Sequence, residues 1–109
     1  MTRPHFYTLN SETHAIHANP DCWPDLRGVW PFIRVAETWL GPPTDGRPGA
    51  VYVSTVFLGI DIQVAGPPVL FETMTFGGAY DRAQRKHSAT WDAAIAEHER
   101  HVRLAKERL

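Results

Sequence analysis

A single cysteine, Cys22, is all the thiol this chain carries, which excludes an internal disulfide and the stapled framework of a small secreted domain. No stretch approaches the ~20 consecutive apolar residues that a membrane-spanning helix needs. Charge of one sign is missing too. Eleven Lys and Arg stand against 12 Asp and Glu, a net charge of −1. That balance excludes both a strongly basic, dedicated nucleic-acid binder and a strongly acidic DNA mimic. There is no internal repeat and no low-complexity tract. No Gly-rich phosphate loop is present either, because Gly77-Gly78 follows a strand pattern without opening directly into a helix. No Ser or Cys nucleophile stands beside an obvious base. The opening residues, MTRPHFYTLNSE, hold no apolar run of the kind a secretory leader uses, so a cytoplasmic location is expected, with no membrane partner.

What is there suits one α+β domain spanning residues 1–109. The chain is 43% hydrophobic and 21% charged, ordinary values for a globular fold. At this length roughly two-thirds of the unfolded surface can be buried, enough for one core. The most informative tract is Val51 to Gly78. Two β-rich apolar runs, VYVSTVFLGI and VLFETMTFGG, flank a segment closed by Gly66-Pro67-Pro68, the pattern of an antiparallel pair at the centre of a sheet. In the first run Val51, Val53, Thr55 and Phe57 share one face; Tyr52, Ser54, Val56, Leu58 and Ile60 share the other. Both faces are substantially apolar, so the strand needs cover on both sides, from a helix and a second layer or from a homodimer. In the partner, Val69, Phe71, Thr73 and Thr75 alternate with Leu70, Glu72, Met74 and Phe76, which sets Glu72 on an otherwise apolar face.

Phe6–Leu9 and Thr13–His17, around a polar Asn10-Ser11-Glu12 turn, suggest a small N-terminal hairpin. Asn19-Pro20-Asp21 is a helix-start signal, and Trp23, Leu26, Trp30 and Ile33 follow at helical spacing. Pro31 ends that short helix. Arg34 to Leu40 alternates like a strand, and the breaker-rich tract from Gly41 to Gly49 is a surface loop. After Gly78 a polar linker leads to Thr90, which caps a long C-terminal helix whose stripe is Trp91, Ala94, Ile95, His98, Val102, Ala105 and Leu109. The expected architecture is an antiparallel sheet of three to five strands, with the C-terminal helix on one face and the short tryptophan helix nearby.

The block VSTVFLGID, GPP, LFETM and FGG, followed by Thr90-Trp91 and a downstream His98, is similar to a family of small uncharacterised proteins of bacteriophages and prophages. The resemblance covers roughly Tyr52 to Val102. It is carried by Ser54, Thr55, Phe57, Leu58, Gly59, Asp61, Pro67, Pro68, Leu70, Phe71, Glu72, Thr73, Phe76, Gly77, Gly78, Thr90, Trp91 and His98. The chain departs from the family pattern at Ile62-Gln63, where the family tends to have His-Asn. A second departure is Lys86-His87-Ser88-Ala89, in place of Arg-Tyr-Ser. The resemblance implies phage or prophage origin and brings no activity with it.

Chemistry has few places to sit. Asp61 and Glu72 flank the central turn and could share a metal, and His98 on the helix could face Glu72 as a ligand or base. That set would suit a small metal-dependent hydrolase or nuclease, yet the triplet Glu72-Thr73-Met74 lacks the lysine that would stabilise developing charge. The favoured reading makes Asp61 a turn anchor and Glu72 with His98 a buried polar pair. His98 with His101, and His14 with His17, stand three apart, but without thiols or further ligands neither pair makes a zinc site, and no cofactor is expected.

Arg82, Arg85, Lys86 and His87 form a basic cluster before the helix, joined by Arg100 and Arg103 as candidate contacts for phosphate or an acidic protein. A solvated linker is the favoured reading of that cluster. Trp39, beside the proline-rich loop, is a candidate interaction hot spot. Binding is therefore favoured over turnover: a non-catalytic accessory protein acting on a host or phage protein, countering a defence such as CRISPR among its candidate tasks. Nucleic acid is the less favoured partner. The alternatives are the hydrolase using Asp61, Glu72 and His98, and a homodimeric structural or assembly component.

Overall fold

A computed structural model describes residues 7–10, 12–18, 33–59, 69–79, 81–82, 84–87 and 90–109. It contains an antiparallel pair, β1 (Tyr7–Leu9) and β2 (Ile16–Ala18), and a second, four-stranded antiparallel sheet. The strands of that sheet, β3 (Ile33–Leu40), β4 (Val51–Phe57), β5 (Phe71–Phe76) and β6 (Gln84–His87), lie in sequence order. One helix, α1 (Trp91–Glu107), follows. This is the expected α+β architecture. The short tryptophan helix, Cys22, Asp61 and Gly66-Pro67-Pro68 lie outside the described residues.

Local chemistry explains the hairpin turns among the described residues. In the first hairpin the Asn10 side-chain oxygen accepts from the Glu12 and Thr13 amides, both at 2.8 Å, while the His14 amide donates to the Asn10 carbonyl at 2.9 Å. Asparagine does this readily because its short side chain mimics a backbone acceptor. The expected surface loop from Gly41 to Gly49 is the tip of the β3–β4 hairpin. Thr44 and Arg47 bridge across it, and Asp45 and Gly46 both take positive φ, 47° and 77°. Asp-Gly is the pair a tight hairpin turn of this hand prefers.

Two expectations change. The polar linker after Gly78 contains β6, paired to β5 with Lys86 opposite Glu72 and Arg85 opposite Thr73. An outer strand needs no apolar alternation to hold its place, and charges there discourage edge-to-edge pairing. A run reading Gln-Arg-Lys-His therefore looks like a linker until its partner is known. Ile33, expected on the short helix, begins β3 opposite Phe57.

Helix α1 starts where Thr90 accepts the Ala93 amide at 3.2 Å, with Asp92 in the first turn and Lys106 in the last. Both charges complement the helix dipole. The helix covers one face of the sheet, and apolar packing beneath it forms two separate clusters. Leu40, Val51, Val53 and Ala105, with Val102, make one. Phe57, Leu70, Phe71 and Ala94 make the other, joined by Tyr7, Leu9, Ile16 and Val35. Val35 reaches this cluster because a bulge between Arg34 and Ala36 shifts the register of β3.

The turn after β5 is held at Gly77, whose φ is 86° and whose amide donates to the Asp81 carboxylate at 2.6 Å. A Cβ added there would collide with the Ala50 carbonyl oxygen, whereas one at Gly46 would meet open space. Gly46→Ala should therefore cost only the left-handed penalty, about 1–2 kcal/mol. Gly77→Ala should cost visibly more, with chemical denaturation midpoints as the readout.

Candidate functional site

Between the two apolar clusters lies a polar seam. Thr55 and Thr73, opposite each other on β4 and β5, share a hydrogen bond of 2.7 Å between their hydroxyls. His98, buried on α1, sets Nδ1 2.9 Å from the Thr55 hydroxyl and Nε2 2.9 Å from the Thr38 hydroxyl on β3. One turn further along the helix, buried His101 sets Nδ1 3.1 Å from the Thr75 hydroxyl. Its Nε2 lies 3.2 Å from Glu97, which also accepts from Arg100 at 2.8 Å. Burial, together with the neighbouring His101, holds the His98 imidazole below the usual histidine pKa, while Glu99 pulls the other way. The neutral ring is therefore the favoured form, with one nitrogen donating and the other accepting.

The expected pair of His98 with Glu72 is not formed. Neighbouring residues of a strand point to opposite faces. Phe71, Thr73 and Thr75 are buried under α1, so Glu72 belongs to the other face, where it stands opposite Val56 and Lys86. On α1 the expected stripe holds at Ala94, His98 and Ala105, which are buried; His101 is buried as well, and Leu109 is exposed. Asp61, the third member of the hydrolase set, lies outside the described residues. Among those residues no group of three or more His, Cys, Asp and Glu is placed to hold a metal ion. His98 spends both ring nitrogens on β3 and β4, His101 spends its own on β5 and on Glu97 of the helix, and His14 lies flat on Trp91, with centroids 3.6 Å apart.

Beside the seam, α1 leaves the outer strand β3 partly uncovered. A groove of about 540 Å³ runs there, lined by Ala36 and Thr38 from β3 and by Ile95, His98, Val102 and Arg103 among others from α1. Glu37, Glu99 and Lys106 complete its rim. Its floor is apolar apart from the Thr38–His98 bond.

Of the other candidate contacts, Arg100 is committed to Glu97, whereas Arg103 on the groove rim makes no ion pair among the described residues. Arg82 is exposed and lies 3.9 Å from Asp81. Arg85 and Lys86 sit on β6, with side chains outside the described residues. Trp39 is 37% exposed, on the sheet face away from α1, where it packs on Tyr52 at 4.3 Å. Sequence reasoning missed the threonines. Their signal was present, since Thr55, Thr73 and Thr75 fall on the same alternating faces as Val53, Phe57 and Phe71. No protein-family model, curated protein or solved structure matches the chain.

Two measurements test the seam. Thr55→Val keeps the shape but strips a hydroxyl that serves both His98 and Thr73. A loss of about 1–3 kcal/mol is expected. Because the His98 pKa is lower in the folded than in the unfolded protein, the unfolded chain binds more protons just below pH 6.5. Stability should be full above pH 6.5 and fall on acidification beneath it, and His98→Gln should flatten that slope in thermal melts.

Proposed function

We propose that this chain is a non-catalytic binding protein whose partner lays an extended, acidic and apolar segment into the groove between β3 and α1. The observation that carries this reading is the groove itself. It combines an apolar floor, a strand with no second neighbour among the described residues, and a mixed rim on which the cations Arg103 and Lys106 stand beside Glu99 and beside Glu37, itself held by Arg34 and Tyr52. Such a strand offers a row of backbone donors and acceptors to an added peptide, while alternate side chains find pockets. Arg103 and Lys106 make no ion pair among the described residues, so carboxylates of a partner could take them. The histidine nearest the groove supports binding over turnover, because both its ring nitrogens are occupied by threonine hydroxyls. A base would have to release one of them first.

The partner is proposed to be a protein of a phage or its host. On the family resemblance alone, the role would be that of a phage accessory protein, with inhibition of a host defence among its tasks. The experiment is affinity capture from a bacterial lysate, followed by titration with the captured protein. Arg103→Glu with Lys106→Glu should weaken binding tenfold or more, about 1.4 kcal/mol. Glu72→Ala should leave affinity unchanged, and His98→Gln should act only through stability. Affinity indifferent to Arg103 and Lys106 but lost on reversing Arg82, Arg85 and Lys86 would move the contact to the β6 edge. Product turnover abolished by His98→Gln in a still-folded protein would overturn the reading.

A further inference from the structure

The face of the four-stranded sheet turned away from α1 has an order of its own. Strand register places its side chains in three rows: Trp39, Tyr52 and Phe76; then Glu37, Ser54 and Met74; then Arg34, Val56 and Glu72. In the first row Trp39 and Tyr52 pack at 4.3 Å and Tyr52 and Phe76 at 6.0 Å. The two outer rings stay 37% and 41% exposed. The Tyr52 hydroxyl donates to Glu37 at 2.7 Å and Arg34 reaches the same carboxylate at 3.1 Å. The Arg34 guanidinium also stands over the Tyr52 ring, 5.8 Å from its centre. Arg34 and Glu37 share a face, although three residues apart, because the bulge at Val35 shifts the register between them.

Two of the three rows are self-complementary across β4, while the middle row sets Glu37 against Met74. An aromatic on β3 answers an aromatic on β5, and a cation on β3 answers an anion on β5. Turning a second copy about an axis parallel to β4 lays its β5 over this copy's β3. Trp39 then meets the second copy's Phe76, Tyr52 meets Tyr52, and Arg34 meets the second copy's Glu72. A two-fold interface must be complementary to itself in this way.

We propose that this face is the interface of a homodimer, two copies packed sheet against sheet about a two-fold axis along β4. Exposed aromatic side chains are the usual anchors of such interfaces. Arg34 can keep Glu37 with one edge of its guanidinium and present further donors to the opposing carboxylate. Single-stranded nucleic acid also stacks on aromatic sheet faces, but it needs a positively charged track. Among the described side chains this face sets Glu37 and Glu72 against the single cation Arg34, which is already held by Glu37, on a chain of net charge −1.

The groove beside α1 opens on the other side of the sheet and shares only Glu37, at the β3 edge, with this face, so this inference is tested independently of the function proposed above. Light scattering and sedimentation of the full chain over a wide concentration range test it. A mass twice that of the 12.3 kDa chain is expected, falling to one copy in Trp39→Ser with Phe76→Ser, with circular dichroism confirming that the fold persists. Arg34→Glu alone should weaken the dimer tenfold or more, and Arg34→Glu combined with Glu72→Arg should restore it. The proposal is overturned by a single-copy mass at every concentration. It is overturned equally by a dimer indifferent to Trp39 and Phe76, by a charge swap that fails to restore association, or by a single-copy protein whose Trp39 fluorescence responds to an oligonucleotide.

Discussion

The requirement that every polar group under α1 find a partner governs this structure. Four threonine hydroxyls and two imidazoles lie where a small domain would ordinarily place aliphatic side chains, and they satisfy one another across the helix–sheet interface. An unpaired hydroxyl or imidazole buried there would cost about 1–3 kcal/mol, a large share of the stability of a domain this size. Apolar packing alone tolerates sliding, because one aliphatic contact resembles the next. The seam does not. Shifting α1 by one turn would move His98 off Thr38 and Thr55 and His101 off Thr75, leaving several buried groups without partners at once. The two apolar clusters, one on each side, supply the general driving force, and the seam selects the register.

That register decides which surfaces remain open. With His98 tied to β3 and β4 and His101 tied to β5, α1 covers the inner strands and leaves the outer side of β3 bare, which makes the groove. The helix shields only one face of the sheet. On the other, the row of Trp39, Tyr52 and Phe76 must pack mainly on itself, and the Tyr52 hydroxyl finds its acceptor sideways in Glu37. Burial and that carboxylate both push the Tyr52 phenol above its usual pKa, so the hydroxyl keeps its proton and the bond that orients the ring.

Much of the fold was legible from periodicity. Val51 to Phe57 and Phe71 to Phe76 alternate strongly, and Thr90 ahead of a helical stripe announces α1. The misread elements share a cause, which is that tertiary partners decide them. Gln84 to His87 has no apolar alternation, and an outer strand needs none to hold its place, so nothing local separates it from a linker. The expected pairing of His98 with Glu72 treated carboxylate and imidazole as natural partners and left their sheet faces out of account. Glu72 alternates with Phe71 and Thr73, both buried under the helix, and this parity alone sends it away from His98. Ala94, His98 and Ala105 stand on the expected stripe, whereas His101 falls outside it because the apolar Val102 beside it looks like the core position in that turn.

Thr38 links the two halves of the molecule. Its hydroxyl holds His98 on the core side, while its backbone belongs to the outer strand that borders the groove. A chain laid along β3 would stiffen that backbone and so steady the hydroxyl against the imidazole. Conversely, protonating His98 removes the lone pair with which one ring nitrogen accepts, and a threonine hydroxyl must then turn to receive a proton. The Thr55 hydroxyl cannot turn without disturbing Thr73. Thr38, with no other side-chain partner among the described residues, can. In the charged ring both nitrogens donate, so acid requires the Thr38 and Thr55 hydroxyls alike to accept. The same bond that fixes the helix in register ties the edge strand to the charge on a buried ring.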